Sequence, residues 1–258
     1  MATVGTNTAQ PRERILEAAT ALLAEGGREA VSTRAVSATA GVQAQTIYRH
    51  FGDMQGLLDE VARQGYASYL AAKQAEGQDG DPVGQLSRGW DMHVAFGLAN
   101  PALYRLLYTE PRPGQQFAVT GEAHQVLRRI VERVAEAGRL RTSVETAATM
   151  VHSAGMGVTL TLIAAQDDDR LTVYEGLADS VRDAILAAVL APAAPAGGPE
   201  PGARPAPVHA IALKSLMRDG VRSLTPGERA LLGELLDRIA TEEQPGSGSS
   251  SSSSETQP

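Results

Sequence analysis

The stretch Val31-Ser32-Thr33-Arg34-Ala35-Val36-Ser37-Ala38-Thr39-Ala40-Gly41-Val42-Gln43-Ala44-Gln45-Thr46-Ile47-Tyr48-Arg49-His50-Phe51 carries the pattern that decides the fold. Ser32 can accept hydrogen bonds from the orphan N–H groups of a helix start. Ala35, Val36 and Ala40 give that helix a small apolar face, and Gly41 frees the backbone for a tight turn. A second helix follows in which Val42, Ile47 and Phe51 point inward, while Gln43, Ala44, Gln45, Thr46, Tyr48, Arg49 and His50 stay outside. This pattern fits a helical hairpin with a polar face, and it equally fits a helix-turn-helix whose second helix enters the DNA major groove. In the second case Gln43 and Gln45 can pair with adenine, and the methyls of Ala44 and Thr46 can meet thymine.

The flanks point to the second reading. The segment Arg12–Leu58 resembles the DNA-binding domain of the TetR family of bacterial transcriptional regulators. Ile15-Leu16-Glu17-Ala18-Ala19, Leu22-Leu23 and Gly26-Gly27 are similar to the first helix of that domain and its exit. Ala40-Gly41-Val42 and Thr46-Ile47-Tyr48-Arg49-His50-Phe51 match its signature, and Leu57-Leu58 fall where a fourth helix packs. Three positions depart from the pattern: Gln43 replaces the usual Ser, Gln45 the frequent Gly, and Met54 the frequent Lys. The resemblance implies an all-α chain, with a three-helix DNA-binding domain followed by a larger α-helical ligand-binding and dimerisation domain. It implies DNA contacts from Arg12, Ser32, Thr33, Arg34, Gln43, Ala44, Gln45, Thr46, Tyr48, Arg49 and His50, with Tyr48 and His50 on phosphates.

The chain has 258 residues, 43% of them hydrophobic, which suffices for a small domain and a larger one with its own core. It has no cysteine, which excludes disulfides, thiol-ligated metals and thiol redox chemistry. No charged-then-apolar leader opens it, and no stretch reads as a bilayer span, so a cytoplasmic protein with no membrane partner is expected. Residues 1–52 carry five arginines against four glutamates, about +1 in all, within a chain of net charge −7. That weak basicity predicts poor binding to random DNA. There is no P-loop, no Rossmann glycine fingerprint and no His-Glu-x-x-His, so no enzyme and no cofactor is expected.

Beyond Gly52 the periodicity is helical throughout. Asp53 caps a fourth helix running to about Ala75; a fifth spans about Val83–Leu98, and a sixth holds Leu103–Leu107. A seventh covers about Gln116–Ala137. Thr142-Ser143-Val144-Glu145 and Thr172-Val173-Tyr174-Glu175 read as capping boxes opening an eighth helix to about Ala165 and a ninth to about Leu190. Asp167-Asp168-Asp169 reads as a solvated loop or, alternatively, a metal site, and Pro111-Arg112-Pro113-Gly114 as a turn. The expected division is a disordered start over 1–11, the DNA-binding domain over 12–52, a regulatory domain over 53–190 and a flexible linker over 191–208. A helical hairpin over 209–243, opened in its second half by the capping box Thr225-Pro226-Gly227-Glu228, and a disordered tail over 244–258 complete it. The hairpin docks on the body, on a second protomer or on a partner protein.

By resemblance, the eighth and ninth helices form a homodimer, with Val151, Ala154, Gly155, Val158, Leu162, Val181, Ile185 and Val189 at the interface. Between the fourth and eighth helices the resemblance implies a pocket for a small-molecule effector. Aromatic residues are scarce, so the central group Trp90, His93, Phe96, Tyr104, Tyr108, Phe117, His124, His152 and Met156 reads either as that pocket or as plain core. Leu98–Leu107 resembles a stretch that packs the hinge between helices in some of these domains, so Tyr104 serves packing as well as ligand contact. The expected function is a homodimeric repressor released from a double-stranded DNA operator by a small molecule. The alternative is a non-catalytic interaction or metal-sensing protein using His93, His124 and His152.

Overall fold

A computed structural model describes residues 10–75, 80–109, 118–167, 171–192, 205–217 and 223–241. Eleven α-helices and no strand occur among them: α1 Pro11–Ala30, α2 Thr33–Ala40, α3 Ala44–Phe51, α4 Met54–Ala75, α5 Pro82–Ala99, α6 Pro101–Tyr108, α7 Ala118–Glu136, α8 Val144–Asp167, α9 Leu177–Val189, α10 Ala206–Leu216 and α11 Pro226–Ala240. The expected loop at 111–114, Phe117, Asp168 and Asp169, the centre of the 191–208 linker and both chain ends lie outside the described residues.

The α1–α3 unit forms around Ile15, Leu16, Ala19, Leu23, Val36 and Ile47, all buried. The Ser32 hydroxyl accepts the Ala35 N–H at 3.2 Å, and Gly41, left-handed at φ 64°, turns the chain into α3. Gln43 precedes α3 without a side-chain cap. The Asp53 carboxylate accepts the Gly56 N–H at 2.7 Å and so opens α4. A Cβ on Gly56 would stand 2.1 Å from the Phe51 carbonyl oxygen, so only glycine lets α4 start this close to the end of α3. Leu57, Leu58 and Val61 share the buried core with the first helices, and α4 packs on α1 and α3. A boundary at residue 52 therefore cuts through a shared core, because the first turns of α4 close the underside of the three-helix unit.

In the larger bundle, α8 packs on α5, α7 and α9, and α6 packs on α1. Two expected caps differ. α8 is capped by Ser143, which accepts the Thr146 N–H at 3.1 Å, whereas Glu145 turns away to Arg128 at 2.8 Å. Leu171–Tyr174 is a 3₁₀ turn, and α9 starts only after Gly176, left-handed at φ 74°. α8 is also long and apolar enough by length and composition to cross a membrane, contrary to expectation. Its apolar side has another use here, since Ala147, Ala148, Val151, Val158, Leu162 and Ile163 are buried within the chain.

The presumed linker is structured at both described ends. Arg141 donates to the Val189 carbonyl and Ala191 to the Arg139 carbonyl, each at 2.9 Å, which pins the chain after α9 to the turn before α8. At the far end Ala206–Val208 already belong to α10. The Thr225–Glu228 capping box is formed reciprocally at the start of α11. α10 lies on α7 and on α11, with Ile211 in the core and a Lys214–Asp237 ion pair across the hairpin.

Candidate functional site

Two regions bear on function, the outer face of α2–α3 and a cavity beneath α4. On α3 and the residue before it, Gln43, Ala44, Gln45, Tyr48, Arg49 and His50 are exposed, and Thr46 is half-buried. Ile47 is wholly buried and holds the helix by its opposite side. Ser32 and Arg34 are exposed on the same unit, and the half-buried Thr33 places its hydroxyl 3.1 Å from that of Tyr48. That bond ties the start of α2 to the middle of α3. Arg12 goes elsewhere: its guanidinium donates to Glu60 on α4 at 2.8 Å and lies 5.5 Å from the centre of the Phe51 ring. Arg12, expected at DNA, here forms a clasp between α1 and α4. Glu60 also receives Arg63, and these two cations hold its carboxyl down at about 2. In the duplex groove, an exposed helix face with amide, hydroxyl and cationic groups can read base edges and hold phosphates.

The cavity encloses about 40 Å³ and is lined by five helices. Tyr66, Tyr69 and Lys73 come from α4; Leu86, Gly89, Trp90 and His93 from α5; Ala123, Leu127 and Ile130 from α7; Val151, His152 and Gly155 from α8. Tyr108 at the end of α6 completes the wall. Four residues singled out in the sequence, Trp90, His93, Tyr108 and His152, thus meet here. Phe96 and Tyr104 lie beneath the wall. The Phe96 ring stacks on Tyr69 at 4.7 Å and takes Tyr66 edge-on at 5.0 Å. His124 touches His152 at 5.5 Å between ring centres, and Met156 is half-buried outside the lining.

A polar chain runs through this wall. Tyr69 and Tyr104 hydroxyls lie 3.2 Å and 2.7 Å from the two nitrogens of His93, and the Tyr66 and Tyr108 hydroxyls lie 3.2 Å apart. Burial, with Lys73 and His152 nearby, presses His93 down to about 3, so it is neutral. Burial also lowers His152, ahead of the effects of His124 and Lys73, and raises Tyr66, Tyr69, Tyr104 and Tyr108. With both His93 nitrogens taken by tyrosines, the His93–His124–His152 set is not a metal site. Among the described residues no group of three His, Cys, Asp or Glu side chains is placed to hold a metal. Asp167, from the acidic run, is instead paired with Arg105.

Sequence reasoning missed the α4 contribution. Tyr66, Tyr69 and Lys73 follow an i, i+3, i+7 spacing that places them on one face, which was the available signal.

Five of the eight expected dimer residues face inward, and the other three are half-buried. Val151, Gly155, Val158, Leu162 and Val189 are buried inside the chain, and Ala154, Val181 and Ile185 pack against the same core. A Cβ at Gly155 would sit 3.5 Å from His93 and Trp90, in ordinary contact, so a methyl fits here and a larger side chain would meet the cavity wall. Exposed on these helices are Ser153, Gly157, Thr161 and Ala164 on α8, and Asp179, Ser180, Asp183, Ala184, Ala187 and Ala188 on α9.

Residues 15–61 match the family model described as bacterial regulatory proteins, tetR family. No curated protein matches the chain. A putative tetR family transcription regulator from Shewanella sp. PV-4 superposes with TM-score 0.55 at 20% identity, covering 71% of this chain and all of its own. FadR from Bacillus subtilis, solved with stearoyl-CoA, gives 0.57 at 16%, covering 67% of this chain and 97% of FadR. A TetR variant from Acinetobacter baumannii AYE, solved with minocycline, gives 0.51 at 19%, covering 68% of this chain and 94% of that one. Residues 15–61 thus match the tetR family model, and the described helical bundle shares its fold with solved proteins of that family.

Proposed function

We propose that the chain is a cytoplasmic homodimeric repressor that leaves its operator when a small molecule enters the cavity beneath α4. The observation that carries this reading is the double role of α4. Its start is locked against the recognition helix α3 through Gly56, and its later turns supply Tyr66, Tyr69 and Lys73 to the cavity. Drug-sized ligands need roughly 300–1,000 Å³, far more than the space enclosed here. A ligand of that size is admitted only if the wall moves, and α4 is the wall continuous with the DNA reader. It lowers DNA affinity by its preference for the widened state and by no more. The likeness to regulators solved with minocycline and with stearoyl-CoA supports a small-molecule site in this fold.

The dimer brings two α3 helices about 34–36 Å apart, onto successive turns of one DNA face. The corrected α8–α9 face suits such a dimer. Apart from Asp179 and Asp183, which are paired with Arg182, its side chains are small, and the Thr161 hydroxyl already donates to the Gly157 carbonyl at 2.9 Å. The test is selection of bound fragments from genomic DNA by the full-length protein, followed by gel shift and light scattering. A dimer that selects a twofold-symmetric site supports the reading. Binding with no sequence preference overturns it.

A further inference from the structure

We infer that the cavity takes a flat aromatic ligand bearing a lone-pair acceptor, a carbonyl oxygen or a ring nitrogen, and that the indole N–H of Trp90 holds this acceptor. This rests on the cavity being the effector site.

Trp90 lacks two kinds of partner at once. It is 5% exposed, lines the cavity from α5, and its indole N–H has no hydrogen-bond partner. An indole N–H can only donate, so a group with a lone pair is what satisfies it. Of the described lining residues, no other has a buried side-chain nitrogen or oxygen in this condition. A donor buried without a partner has given up water and gained nothing, so it destabilises the closed bundle.

The second lack is aromatic. Six lining side chains are rings: Tyr66, Tyr69, Trp90, His93, Tyr108 and His152. Five of them already meet another ring, with Tyr66 and Tyr69 4.8 Å apart between centres, and His93 and His152 each 6.0 Å from Tyr108. Trp90 meets no ring among the described residues. Two lining glycines border it instead. Gly89, buried, has nothing within 4 Å of a would-be Cβ, and a Cβ at Gly155 would only reach contact distance of the indole, at 3.5 Å. A flat ring placed beside Trp90 gains the edge or face contact that the indole lacks, whereas an alkyl chain gains burial alone.

The enclosed 40 Å³ is too small for such a ring, so the lone pair reaches the N–H only as the wall moves. The donor is then unsatisfied in the closed state and satisfied in the widened one. That difference gives the ligand its preference for the widened state.

The test is calorimetric titration of the full-length protein with acetophenone, ethylbenzene and 2-octanone, which are matched in size. The first has a ring and an acceptor, the second a ring alone and the third an acceptor alone. The indole N–H resonance of Trp90, the single tryptophan, is read in parallel by NMR. Acetophenone should bind first, about tenfold ahead of ethylbenzene, the scale of one hydrogen bond, and ahead of 2-octanone as well. The indole resonance should move further downfield with acetophenone than with ethylbenzene, a readout that needs no variant. Trp90→Phe should bring acetophenone down to the affinity of ethylbenzene, and ethylbenzene binding by the variant reports that its cavity still forms. Binding of 2-octanone first, equal affinity for the two aromatic probes, no acetophenone binding at all, or an indole resonance that acetophenone does not move would overturn the assignment. Operator binding is measured separately without any probe. A protein that takes acetophenone in this order but selects no DNA defeats the regulatory reading alone, and one that selects DNA but prefers 2-octanone defeats this one alone.

Discussion

Gln43 and Gln45 stand exposed at the start of α3, with the longest polar side chains of its first turn. Replacing either by Ala should relax preference at particular base pairs by about 1–3 kcal/mol, read as a flattened position in a binding-site selection profile. Tyr48→Phe loses the Thr33 bond and should weaken binding evenly across sequences. Inside the bundle, Gly155→Leu should push Trp90 and His93 out of place and cost about 1–3 kcal/mol in a denaturant melt, with the oligomeric state unchanged. This residue also shows where the sequence runs out. An apolar stripe on α8 is visible from its spacing, but spacing does not say whether the stripe meets its own chain or a copy. The large apolar residues went to the core, and only the small ones were left outside.

At the scale of elements, the α1–α4 clasp is acid-sensitive. Glu60 sits near 2 in the folded chain, below its ordinary 4.5, so its ion pairs stabilise the fold fully above about pH 4.5, and that contribution fades as pH falls toward 2. Glu60→Gln should lower the melting temperature at pH 7 by a few degrees, consistent with an exposed pair worth about 1 kcal/mol or less. The gap between wild type and variant should close in acid; a gap that stays constant down to pH 2 would mean Glu60 acts through packing. Helix positions were largely legible because caps and breakers are local: Ser32, Gly41, Asp53 and Thr225 all act within three or four residues. The α8 cap slipped by one because Thr142 and Ser143 are both good caps, and Arg128, distant in sequence, drew Glu145 away. The α4 tyrosines were not assigned to the cavity because what they face depends on α5 and α7.

At the scale of the whole molecule, the proposed dimer and the salt response of DNA binding are the measurable quantities. Gly157 faces outward on α8 with nothing within 4 Å of a would-be Cβ. Gly157→Glu should therefore leave helix content intact or raised, since Glu outranks Gly in helices. It should split the dimer in light scattering, because a twofold interface sets the new charge against itself. An intact dimer would move the interface off α8. Binding of operator should depend only shallowly on salt, given a headpiece of five arginines and four glutamates of which Arg12 is already paired. Met54, half-buried at the first turn of α4, is the position to restore a cation. Met54→Lys should steepen the log–log salt slope by about one unit per half-site and raise affinity for all sequences alike.

The seat of the C-terminal hairpin on α7 has a mechanical consequence. One side of α7 gives Ala123, Leu127 and Ile130 to the cavity, while Arg128 and Glu132 on its other side border the groove where Ile211 and Leu236 of the hairpin pack. The hairpin thus buttresses the outside of one wall, as a brace behind a retaining wall does. Pressure from within finds α7 backed by the hairpin, so more of the give falls to the other walls, among them α4, whose start packs on α3. A domain added at the far end of the chain would in this way sharpen the response at the near end without touching either ligand or DNA.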